Sequence, residues 1–144
     1  MYLIDTNIFL EILLQQNKSK NCKLFLDKNI GVLNISDFSL HSIGVILFRN
    51  KKEKIFLKFI SDILPKIGLI SLPKDDYKEF INIKKKIELD FDDAYQYYIC
   101  KQFNLKLITM DQDFKKINNH CCPIDFKIQK PIDFHQKSDV HIFS

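Results

Sequence analysis

The chain has 144 residues, 46% of them hydrophobic and 28% charged, so it is the size of one globular domain and too apolar to be disordered. Three Gly and four Pro exclude collagen-like and linker-rich sequences, and no apolar run approaches the roughly 18 residues of a membrane span. The net charge of +4 is mildly basic; with Arg49 the sole arginine among 22 basic residues, the charge is almost all lysine, which suits phosphates better than base edges. A coding bias toward Lys, Ile and Asn is the preferred account of that charge.

In chain order, Tyr2-Leu3-Ile4 reads as a short strand ending at Asp5, and Asn7 to Gln16 follows with helical spacing. Asp5 and Glu11 interrupt this apolar stretch and no basic segment precedes it, so it is expected to be part of the fold rather than a leader. Ser19 to Lys28 reads as a second helix. Gly31 to Ile35 is strand-like, and Ser36 is a good N-cap for a helix over Asp37 to Arg49. Glu53 to Leu64 reads as helix, stopped by Pro65. Ile67 to Leu72 then reads as strand, and a lysine-rich helix runs from Pro73 to about Leu89. Phe91 to Phe103 is helical, Leu105 to Met110 is a strand closing at Asp111, and Ile124 to Ile128 and Ile132 to Phe134 are candidates for a late strand.

Alternating strands and helices predict an α/β fold, three layers with a mostly parallel central sheet, and one domain over residues 1–144. Right-handed crossovers would bring the carboxyl ends of the strands to one edge, where a site should be sought. Four cysteines, at 22, 100, 121 and 122, lack C-x-x-C spacing and are read as reduced thiols of a cytoplasmic protein. A zinc site built from His120, Cys121, Cys122 and His135 or His141 fits no common spacing.

Asp5 and Asp111 each follow a strand directly, and Asp93 opens the helix that feeds the second of those strands. Three converging carboxylates repel one another unless a hard divalent cation such as Mg²⁺ or Mn²⁺ is shared among them. Each also has an ordinary reading as a helix cap or first-turn acid. Asp93 fits that reading least well, because its helix face continues through Tyr97 and Cys100.

Ile4-Asp5-Thr6-Asn7, Asp93-Ala94 and Ile108-Thr109-Met110-Asp111-Gln112-Asp113-Phe114 together resemble the motifs of PIN-domain nucleases, in particular the VapC-like toxins. The resemblance runs from the first residues to about Lys116. It implies that Asp5, Asp93 and Asp111 are catalytic, metal-binding carboxylates with Asp113 as an auxiliary, supported by hydrogen bonds from Thr6, Asn7 and Thr109. It further implies metal-dependent hydrolysis of RNA, with a water activated for in-line attack and no covalent intermediate. An antitoxin protein and a homodimer are the partners it implies, and apolar faces near Phe9, Leu13 and Phe48 are candidate interfaces.

One position departs from the family pattern. A glutamate is usual on the helix after the second strand, and Ser42, beside His41, stands there instead. A hydroxyl is a poorer Mg²⁺ ligand than a carboxylate, and histidine suits softer ions. Asp37 lies five residues earlier, about 140° around the helix, and is no obvious substitute. Asp93 is preferred to Asp92 because it directly precedes a small residue, whereas Asp90 and Asp92 look like solvated helix-start residues. Lys84-Lys85-Lys86 is either a solvated face or a contact for RNA phosphates. The alternative function is a degenerate PIN-like module that binds RNA or protein without catalysis. A phosphoryl-accepting domain built on Asp5 is a weaker third reading.

Overall fold

The computed structural model describes residues 1–114 and Ile117. The expected late strands, together with His120, Cys121, Cys122, His135 and His141, lie outside the described residues.

Four strands, β1 (Tyr2–Ile4), β2 (Leu33–Ser36), β3 (Gly68–Ile70) and β4 (Lys106–Ile108), form one parallel sheet in the order β3-β2-β1-β4. Six helices connect them: α1 (Thr6–Leu13), α2 (Ser19–Lys28), α3 (Asp37–Arg49), α4 (Glu53–Asp62), α5 (Tyr77–Lys84) and α6 (Phe91–Gln102). The sheet is central because successive strand residues point to opposite faces and both faces are apolar. Leu3 and Leu107 belong to a core with Phe80, Tyr98 and Ile99 of α5 and α6. Their neighbours Ile4 and Ile108 belong to the other core, with Phe9, Phe25, Leu47 and Phe59 of α1 to α4. The result is the expected three-layer α/β/α arrangement.

The α2 and α3 boundaries agree with the sequence reading. Ser36 is the N-cap of α3, its buried hydroxyl accepting from the Ser39 amide at 3.1 Å. Other boundaries differ, among them the ends of α4 at Asp62 and α6 at Gln102, one or two residues short of the reading. Helix α1 ends at Leu13 rather than Gln16, because the buried Glu11 carboxylate accepts from the Lys18 amide and the chain turns there. Strand β1 keeps its expected bounds, while β2, β3 and β4 shorten to three or four residues, the length over which they pair. The long lysine-rich helix is replaced by a single tight turn at Lys74–Asp76 and the short α5. Its last segment leaves the helix so that Leu89 can enter the α5–α6 core.

Helices α1, α3 and α6 end alike, each with a non-glycine residue in the left-handed region: Gln15 (φ 53°), Lys51 (φ 55°) and Asn104 (φ 51°). The following amide reaches back to a carbonyl of the last turn, Gln16 to Glu11 at 2.9 Å, Lys52 to Leu47 at 2.8 Å and Leu105 to Cys100 at 2.9 Å. These are Schellman closures. Gly68 serves a different need, close approach: a Cβ there would lie 2.2 Å from Asn34 Oδ1, while Asn34 Nδ2 donates to the Tyr2 carbonyl at 3.0 Å.

Phe9, considered above as interface, is buried and packs edge-on against Phe59 with ring centroids 5.2 Å apart. Phe48 remains 56% exposed. No helix among the described residues is long and apolar enough to cross a membrane.

Replacing Ser36 with Ala removes the α3 cap and leaves the Ser39 amide without its buried acceptor. Unfolding in urea should show a loss of about 1–2 kcal/mol with an unchanged denaturant slope.

Candidate metal centre

The parallel sheet brings the residues after β1 and β4 side by side. Asp5 is the N-cap of α1, with extended backbone at φ −73° and ψ 154°. Its Oδ1 accepts from the Thr6 amide at 2.7 Å, and its Oδ2 accepts from Asn7 Nδ2 at 2.9 Å and Thr109 Oγ1 at 2.6 Å. Thr109 Oγ1 in turn accepts from Asn7 Nδ2 at 3.1 Å and from the Asp111 amide at 3.0 Å. Asn7 Oδ1 accepts from the Met110 amide at 3.3 Å, and Asp111 Oδ1 from the Asp113 amide at 2.8 Å. One short network therefore locks the two strand ends together across more than 100 residues of sequence. Thr6 contributes through its backbone amide.

Across from this network, the first turn of α6 presents Asp93. Carboxylate oxygens of Asp93, Asp111 and Asp113 all lie within 4.8 Å of one another, close enough to share a cation. Asp5 is outside that group, but its charge acts on Asp93 and the charge of Asp111 acts on it. His41 is exposed on α3 and Ser42 is half-buried, and neither belongs to the carboxylate group. Asp37 is engaged elsewhere, accepting from Tyr95 Oη at 2.9 Å and the Phe38 amide at 2.7 Å, while the Leu72 amide donates to Tyr95 Oη at 3.0 Å.

The electrostatics are those of crowded acids. Two unit negative charges about 5 Å apart repel by about 3 kcal/mol at an effective dielectric near 20. That is comparable to the upper end of the roughly 1.5–3 kcal/mol of one hydrogen bond to a charged group. Burial raises the pKa of Asp5 above the ordinary carboxylate range, the bonds from Thr109 and Thr6 oppose the rise, and Asp111 and Asp92 add to it. Asp93 is pushed up to about 7, first by burial and then by the charges of Asp92, Asp111, Asp5 and Asp113. No hydrogen bond among the described residues offsets this at Asp93. A donor set made only of carboxylate oxygens, strained by mutual repulsion, fits a hard divalent cation.

Two features were not found from sequence. Asp92 is exposed, as expected of a solvated first-turn acid, yet its charge reaches both Asp5 and Asp93. Gln96, one turn beyond Asp93, is buried; its Nε2 donates to Ser39 Oγ, and its Oε1 has no hydrogen-bond partner. A buried orphan carbonyl costs about 1–3 kcal/mol. A glutamine flanked by the aromatic residues of an otherwise apolar helix face was the available signal.

A parallel, doubly wound α/β domain with convergent acids at the carboxyl edge of its sheet is the general class to which this molecule belongs. The PIN domain family model matches residues 2–119, and the chain belongs to that family. Among curated proteins no sequence match is significant. Solved structures share the fold at low identity. VapC20 of Mycobacterium tuberculosis, a sarcin–ricin loop cleaving toxin, is 14% identical with a TM-score of 0.69, over 81% of this chain and 95% of that one. A toxin–antitoxin complex from Klebsiella pneumoniae is 19% identical with a TM-score of 0.68, over 93% of this chain and 100% of that one. FitAcB from Neisseria gonorrhoeae is 23% identical with a TM-score of 0.63, over 82% and 94% respectively.

The raised pKa of Asp93 sets the sign of a pH dependence. The folded chain holds this proton more tightly than the unfolded chain, so the stabilisation is complete below about pH 4 and is lost as pH rises through about 7. With a chelator present, the thermal midpoint should fall between pH 5 and 8, and Asp93→Asn should flatten that slope. Parallel profiles for the two proteins would contradict this assignment.

Proposed function

We propose that this chain is a metal-dependent endoribonuclease, the toxin of a toxin–antitoxin pair, with Asp5, Asp93 and Asp111 as the acids of its site and Asp113 at the rim. The observation that carries this reading is the meeting of Asp93, Asp111 and Asp113 within 4.8 Å beside a hydrogen-bonded Asp5, in a chain of the PIN family. A bound Mg²⁺ or Mn²⁺ would lower the pKa of an attacking water and offset the charge that grows on the phosphate. The chain's own part is positional. Thr109 and Asn7 keep Asp5 oriented and favour its ionised form, and the β4–Asp111 turn holds its carboxylate opposite α6. Lys85 and Lys86 are exposed after α5 and would contact substrate phosphates. An antitoxin would cover this acidic edge; the Klebsiella relative, solved as a toxin–antitoxin complex, supports such a partner. The cytoplasm is the compartment this reading requires, and a homodimer remains part of it by family resemblance.

A second reading, a PIN-like module that binds RNA or protein without cutting, is favoured by one observation: Ser42 occupies the place of the usual helix acid, and Asp37 is bound to Tyr95 instead of replacing it.

Two measurements separate these readings. Mn²⁺ or Mg²⁺ at 100 times its dissociation constant should add about 2.7 kcal/mol, which raises the midpoint by roughly 5–10 °C for a domain this size. Asp5→Asn should abolish that rise, and both Asp5→Asn and Asp93→Asn should abolish RNA cleavage while keeping a cooperative unfolding transition. Cleavage by either variant at the wild-type rate would refute the nuclease reading. RNA retention without an ion-dependent shift would favour the binding module.

A further inference from the structure

Gln96 is a buried amide on α6, the helix whose first turn carries Asp93. Asp5 acts electrostatically on Asp93 and on Cys100, seven residues apart on α6, so the stretch between them runs alongside Asp5. Gln96 lies within that stretch, one turn from Asp93. Its partner Ser39 is in the first turn of α3, where its amide is held by Ser36 at the carboxyl end of β2, the strand beside β1. The side chain thus bridges α6 and α3 next to the end of β1. Ser39 takes the amide nitrogen and leaves Oε1 buried and unpartnered, on a residue 2% exposed. A buried carbonyl oxygen in that state, on the helix that carries Asp93, can be satisfied by a cation as well as by a proton donor. Glutamine carbonyls are ordinary oxygen ligands for hard divalent ions.

We infer that Gln96 Oε1 is a neutral ligand to the divalent cation, standing in for the acid absent at Ser42, with Ser39 fixing which end of the amide faces the ion. The inference rests on the metal-dependent reading above and adds a ligand to its site. A neutral oxygen in place of a carboxylate leaves the site one negative charge lighter. The ion is therefore held more weakly than a full set of acids would hold it, and the cluster repels itself less when empty.

The test is Mn²⁺ affinity, read from free Mn²⁺ by electron paramagnetic resonance, with the metal-free thermal midpoint measured separately. Gln96→Met keeps the length and removes the oxygen; it should weaken Mn²⁺ at least about tenfold without lowering the metal-free midpoint. Gln96→Glu restores the charge and should tighten Mn²⁺ while lowering the metal-free midpoint at neutral pH. Ser39→Ala removes the anchor alone and should weaken Mn²⁺ by a smaller factor than Gln96→Met. Wild-type affinity in both Gln96→Met and Ser39→Ala, with binding still abolished by Asp5→Asn, would overturn the role of Gln96 and leave the nuclease reading standing. If Gln96→Met does not fold, equal affinity in Gln96→Glu and the wild type overturns it in the same way. No Mn²⁺ binding by the wild type would overturn both.

Discussion

Like-charge repulsion at one edge of a parallel sheet is the constraint around which this molecule is organised. Left to themselves, Asp5, Asp93, Asp111 and Asp113 would separate or bind protons. They are held together by elements with their own reasons to be where they are. β1 and β4 pair because both present apolar residues to both faces, and that pairing alone brings Asp5 and Asp111 into neighbouring positions. The bonds from Thr109 and Thr6 then oppose the rise in the Asp5 pKa, while Asp93 is raised by burial and by the neighbouring acids. Membership in the PIN family is consistent with this division of labour, since the matched segment spans all four acids.

The opposite side of the edge depends on how α3 and α6 approach the sheet. Ser36 fixes the first turn of α3, and two polar contacts then link it to α6: Gln96 to Ser39, and Tyr95 to Asp37. Tyr95 also receives the Leu72 amide from the segment after β3, so three parts of the chain meet at one phenol. Burial raises the Tyr95 pKa far above the ordinary tyrosine range, and its bond to the Asp37 carboxylate raises it further, so it serves as a neutral donor throughout the physiological range. Asp37 is thereby committed to structure, apart from the cluster of Asp93, Asp111 and Asp113.

Much of the architecture could be read from the sequence because its signals were local. The Ser36 cap, the α2 and α3 limits and the strand-to-aspartate transitions at Asp5 and Asp111 each depend on a few adjacent residues. Helical propensity in the lysine-rich stretch predicts a helix longer than α5, and the burial of Leu89 in the core, a tertiary effect, overrides it. The reach of Asp92 was missed for a related reason: exposure and electrostatic influence are separate properties, and only coordinates show that an exposed acid lies near buried ones. Gln96 was overlooked because a single polar residue on a helix gives no sign of which partner it meets.

The scarcity of glycine has a thermodynamic consequence at the helix ends. Of three glycines in the chain, none occupies the left-handed positions that close α1, α3 and α6, where Gln15, Lys51 and Asn104 sit instead. A side chain in that backbone region is disfavoured by about 1–2 kcal/mol, least for asparagine, whereas glycine would add roughly 0.4–1 kcal/mol of unfolded-state entropy. The balance favours glycine at Gln15 and Lys51, so the domain operates below the stability its own topology permits. That reserve lies in two surface turns, at the C-terminal ends of α1 and α3, while Asp5 caps the opposite end of α1.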